Sequence, residues 1–70
     1  MQTERVQIGK RIRSFRKSKG MTQIELAELT GLSRNSIINY ERGYRTPRAD
    51  ALEVLASLMG ISVTAFFDVR

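Results

Sequence analysis

Two helix boundary signals, a capping box opened by Thr22 and a glycine at position 31, do most to limit how this chain can fold. The Thr22 hydroxyl can accept the Glu25 backbone N–H while the Glu25 carboxylate reaches back to the Thr22 N–H, so a helix starts there. Within it Leu26, Ala27 and Leu29 recur at helical spacing and are expected to face inward. Gly31 then supplies the left-handed residue that stops a helix without a Cβ penalty. Leu32 is placed to plug the corner, and Ser33 to N-cap a second helix running from Arg34 to Arg42. Ile37 and Tyr40, at i and i+3, pack that helix back onto the first. The rest of it, Arg34, Asn35, Ile38, Asn39 and Arg42, forms an exposed strip.

Seventy residues make a single domain, 1–70, that buries only about 60% of its unfolded surface, so the core must be economical. The chain has no cysteine and no histidine, which removes disulfides, thiolate or imidazole metal sites and the usual general bases. No enzyme, cofactor or metal is therefore expected. No apolar run exceeds three residues and the start, MQTERVQIGKR, has no apolar h-region, so neither a signal peptide nor a membrane span is predicted and the protein is expected in the cytoplasm. The net charge of +5 favours a polyanionic partner. Its distribution is uneven: residues 1 to 20 carry seven of the twelve Lys and Arg against one acid, whereas residues 49 to 69 carry three acids and no base.

The remaining segments also read as helices. From Val6 to Lys19, Ile8, Ile12 and Phe15 share one face and Gly20 ends the helix; Lys10, Arg11, Arg13 and Lys17 form a solvated remainder, from which Lys10 or Arg13 can also touch the backbone of a polyanionic partner. Thr46 is a natural N-cap and Pro47 suits a first helical position, after which Ala51, Leu52, Leu55, Ala56 and Met59 recur at core spacing up to Gly60. A last turn or two, capped by Ser62, offers Val63, Phe66 and Phe67. Phe67 is assigned to the core, with Phe66, Met59 and Val69 as candidates for an interface with a second copy. Loops are short and period-two alternation is absent, so the chain is predicted to be all-α with five helices.

Helix residues at i, i+1, i+4 and i+5 project together, so Arg34, Asn35, Ile38 and Asn39 form one contact surface. Their chemistry suits base edges in a DNA major groove: arginine bonds both acceptors of guanine, and asparagine bonds adenine N6 and N7. Ile38 has two readings, a thymine methyl contact or packing against a neighbouring side chain. Arg42, Arg45, Tyr44 and Arg48 are candidates for phosphate, together with backbone N–H groups at helix starts. Arg48 can alternatively enter a narrow minor groove. No small-molecule site is evident.

The combination of RKSKGMTQIELA, the Gly31 turn, ERG followed by Pro47, and GISVTAFF resembles the lambdoid phage repressor and Cro-like helix-turn-helix regulators, the XRE family, over roughly Ile8 to Phe67. The resemblance implies a five-helix domain that binds double-stranded operator DNA as a two-fold homodimer. In such phage repressors the second helix of the motif lies in the major groove and half-sites are about 34 Å apart. It assigns Gln23 to phosphate and to bracing the recognition helix, Arg34, Asn35 and Asn39 to base edges, and Arg16 and Glu41 to a structural ion pair. The leading expectation is thus a transcriptional repressor of phage or prophage type. An antitoxin that also binds a toxin, or the DNA-binding domain of a larger regulator, is the alternative, and either would add chain beyond Arg70.

Overall fold

A computed structural model of the chain describes residues 2–67, which form four α-helices followed by one 3-10 helix. These are α1 (Gln2–Ser18), α2 (Gln23–Thr30), α3 (Arg34–Glu41), α4 (Ala49–Met59) and the 3-10 segment Val63–Phe67. The all-α expectation holds, but the fifth element has 3-10 rather than α geometry. Helix α1 packs on α3 and on the 3-10 segment, α2 packs on α3 and α4, and α4 on the 3-10 segment. The core lies where these meet: Ile8, Ile12, Leu26, Ile37, Leu55 and Phe66 are fully buried. Removing each such side chain from water contributes about 1.5–3 kcal/mol.

The α2 boundaries follow from local chemistry. Glu25 N–H donates to Thr22 Oγ1 at 3.0 Å and Thr22 N–H donates to Glu25 Oε1 at 2.8 Å, completing the capping box. Gly31 closes the helix at φ 75°, a conformation that costs an L side chain. Ser33 caps α3 by accepting the Ser36 N–H at 3.0 Å, and Ile37 and Tyr40 are buried. Helix α3 ends one residue earlier than expected, with Arg42 as its C-cap.

Other expectations need correction. Helix α1 begins at Gln2, not Val6. Leu29 is 61% exposed, because only Leu26 and Ala27 of α2 reach the core. Helix α4 begins two residues beyond the Thr46-Pro47 signal. Arg48 occupies the N-cap without a side-chain hydrogen bond, and Pro47 is buried in the preceding loop. Phe66, assigned to an interface, is fully buried, and Phe67, assigned to the core, is 38% exposed. In a 3-10 helix successive residues turn by about 120°, so the two rings diverge and only one can enter the core. Ser62 Oγ meets Thr64 Oγ1 at 2.9 Å instead of capping a backbone N–H. Met59 is half-buried against the core, and Val69 lies outside the described residues.

The α1–α3 contact is made at backbone range. Gly9 is buried against the end of α3, where a Cβ would overlap the Tyr40 carbonyl oxygen and come within 3.0 Å of that of Glu41. Sequence reasoning had no signal for this: Gly9 sits mid-helix, where glycine is normally a cost.

Candidate nucleic-acid interface

Burial of Ile37 and Tyr40 sets the rotation of α3 and so decides which side chains leave the body. Arg34, Asn35 and Arg42 are exposed, and Ile38 and Asn39 are half-buried. Ile38 therefore lies partly against the body while showing an edge on the same surface. Arg34 and Asn35 are held by the helix backbone alone, with no hydrogen bond or ion pair from either side chain to another described residue. Their donors are available to a ligand.

Below the C-terminal end of α3 the chain brings together residues far apart in sequence. Arg16 Nε donates to Glu41 Oε2 at 2.6 Å and Arg16 Nη2 to Glu41 Oε1 at 3.0 Å, a two-bond fork. Arg16 Nη1 also donates to the Met21 carbonyl at 2.9 Å. The two side chains are only 12% and 3% exposed, so the pair is screened little by water. The Glu41 hydrogen bond raises the proton affinity of the Arg16 guanidinium above its ordinary value; desolvation opposes this and the Glu41 charge adds to it. Gln23, the first residue of α2, joins the same carboxylate, its Nε2 donating to Glu41 Oε1 at 3.2 Å. One carboxylate thus ties α1, α2 and α3 together.

This node forms the floor of an open groove of about 500 Å³ lined by Arg13, Arg16, Lys17, Thr22, Gln23, Glu41 and Arg42. Glu41 is the single carboxylate among them and is neutralised by Arg16, which leaves Arg13, Lys17 and Arg42 as the net charge of the groove. Arg13 and Lys17, expected on a solvated face, are exposed, and the fold sets them on the lip of the groove. The first turn of α2 opens at Gln23, where helix N–H groups and the helix dipole favour an anion. The arrangement can hold a phosphate beside the α3 strip.

The loop after α3 carries the other candidates. Tyr44 is 62% exposed, and the Arg42 guanidinium lies 6.0 Å from the centre of its ring, the outer limit of a cation–π contact. The Tyr44 carbonyl accepts a long hydrogen bond of 3.4 Å from Arg5 Nη1, so α1 steadies this loop. Arg5 was missed because its partner lies 39 residues away. Arg45 and Arg48 are exposed on the same loop. Among the described residues no group of three or more acidic, histidine or cysteine side chains is placed to hold a metal, and no helix is long and apolar enough to cross a membrane.

Comparison with known proteins places this geometry among relatives. The profile of a family described as helix-turn-helix matches residues 12–66. The chain is 40% identical over 58 residues to the immunity repressor protein of Bacillus phage phi105, covering 83% of this chain and 40% of the repressor. It is 36% identical over 55 residues to antitoxin PezA of Streptococcus pneumoniae, covering 79% of this chain and 35% of the antitoxin. It thus spans well under half the length of these two curated relatives. Among solved structures it resembles the restriction-modification controller protein C.AhdI from Aeromonas hydrophila, with a TM-score of 0.79 and 35% identity over 90% of this chain and 96% of that one.

Proposed function

Because the chain belongs to the helix-turn-helix family, we propose that it is a sequence-specific regulator of transcription that binds operator DNA in the cytoplasm, with α3 in the major groove. The observation that carries this reading is the division of α3, with Ile37 and Tyr40 locked into the core while Arg34, Asn35, Ile38 and Asn39 leave on the other side. Arg34 and Asn35 specify bases, and Asn39 and the exposed edge of Ile38 complete the surface. Gln23, Arg42, Tyr44, Arg45 and Arg48, with the basic groove, hold phosphates on either side and fix the register. No chemical step is involved. The relative named as an immunity repressor supports repression as the mode of action.

A two-fold dimer follows from the small number of base pairs one helix can read, which is too few to compete with a genome of non-specific sites. The similarity to an antitoxin supports a second reading, in which the same helices bind DNA and further chain binds a toxin protein. Co-expression with the product of an adjacent gene and copurification distinguishes that reading.

The test starts from duplexes selected out of a random pool, where a palindrome with half-sites about ten base pairs apart is expected. On the selected site, Arg34→Ala or Asn35→Ala should cost about 1–3 kcal/mol and relax preference at one position per half-site. Equal loss on random DNA refutes the specificity role. Arg45→Ala should weaken all sequences alike and lower the slope of log affinity against log salt by about one. An unchanged slope removes Arg45 from the phosphate set.

A further inference from the structure

A second face of the molecule, built by α2 and α4, has a chemistry opposite to that of the groove just described. Leu29 is 61% exposed, Val54 39% and Leu58 36%. Val54 and Leu58 lie at i and i+4 on α4, along the edge of its buried face. Two shallow grooves meet at Leu29. One of about 380 Å³ is lined by Leu29, Glu53, Val54, Ser57 and Leu58, and the other of about 340 Å³ by Met21, Glu25, Glu28 and Leu29. Every ionisable side chain lining either groove is a glutamate, in a chain whose net charge is +5.

We propose that this face is a docking surface for a basic amphipathic helix of another protein. Contiguous exposed apolar side chains rimmed by charge mark an interaction site, and three acids select a partner with flanking Lys or Arg. A nucleic acid is excluded, since the carboxylates repel its phosphates. A second copy of this chain fits poorly in either possible mode. Two-fold pairing of the face sets Glu28 and Glu53 in one copy against the same carboxylates in the other. Head-to-tail pairing with α1 supplies positive charge but, among the described residues, a single exposed aliphatic side chain, Val6, because Ile8 and Ile12 of α1 are fully buried. A helix with aliphatic side chains at i, i+4 and i+7 and lysines or arginines beside them fills both grooves across Leu29. The face shares no residue with the α3 strip, so both can be occupied at once.

The full chain, labelled with 15N, is titrated with a synthetic amphipathic helix of leucine and lysine, and separately with the same peptide carrying glutamate for lysine. Shift changes from the lysine peptide are expected at Leu29, Glu53, Val54, Ser57 and Leu58, with none from the glutamate peptide. Leu29→Ser, and separately the double variant Glu28→Lys with Glu53→Lys, should each weaken binding by about tenfold or more while keeping the spectrum of α1 and α3. Both should bind duplex DNA at least as well as the parent, which separates this surface from the DNA reading. Shifts mapping to another face, equal binding of both peptides, or undiminished binding by the variants overturns the proposal. So does sedimentation showing that Leu29→Ser dissociates a dimer, which assigns the face to a second copy.

Discussion

Gly9→Ala is expected to cost about 3 kcal/mol of stability or more, read as a fall in the midpoint of urea denaturation followed by circular dichroism. In an ordinary helix the same change is favourable by roughly 0.5–1 kcal/mol, because alanine loses less backbone freedom on folding. Here the sign reverses. The new methyl would overlap the Tyr40 carbonyl oxygen and approach the Glu41 carbonyl oxygen and carbon at 3.0 and 3.2 Å. All three atoms are backbone, so no flexible side chain can swing aside, and α1 must move away from α3. That movement loosens Ile8, Ile12 and Tyr40 and stretches the Arg16–Glu41 fork. A domain of this size has roughly 4–10 kcal/mol in total, so the loss is a large fraction of it. A variant as stable as the parent would show that the two helices meet less closely than the structure has them.

Arg16→Ala is expected to cost about 3 kcal/mol, because it leaves the Glu41 carboxylate, 3% exposed, with the Gln23 amide as its one polar side-chain partner among the described residues. Replacing both residues, Arg16→Met with Glu41→Leu, should cost much less than the sum of the single changes, since no uncompensated charge is left behind. Additive losses would mean that the pair is screened by water and that the energy lies in packing. The pH dependence is also constrained. A base whose proton affinity is raised on folding contributes stability that is fully present below its unfolded pKa and is lost as pH rises through its folded value. For Arg16 both lie in strongly alkaline solution, so this residue adds no slope to stability across the neutral range.

Local chemistry made much of this legible before any coordinates. The capping box, the Gly31 stop and the Ser33 cap are interactions within three or four residues, and each is present where the residue types put it. Thr46-Pro47 carries the same kind of signal, yet no helix starts there. Pro47 fits an extended loop as readily as a first helical turn, and its burial there pushes the start of α4 to Ala49. Leu29 has core spacing relative to Leu26, but an α2 of eight residues turns only a narrow edge inward. The choice between Phe66 and Phe67 depends on how the chain enters the last turn after Gly60, a tertiary matter that periodicity does not contain. Spacing alone puts Arg34, Asn35 and Arg42 on the exposed side of α3, whereas Ile38 and Asn39, expected on the same exposed strip, are half-buried. The Arg16–Glu41 pair, 25 residues apart, came only through family resemblance, and the Gly9 approach and the place of Lys17 on the groove lip through neither.

The division of labour along α3 separates two demands that usually compete. Ile37, Tyr40 and Glu41 anchor the helix, and Arg34 and Asn35 carry none of that load. An architecture of this kind works like a tool holder with an interchangeable bit: the two outward positions can accept new side chains while the mount stays as it is. Descendants of such a chain can diverge in what they recognise by a few point changes, without first acquiring spare stability to survive them.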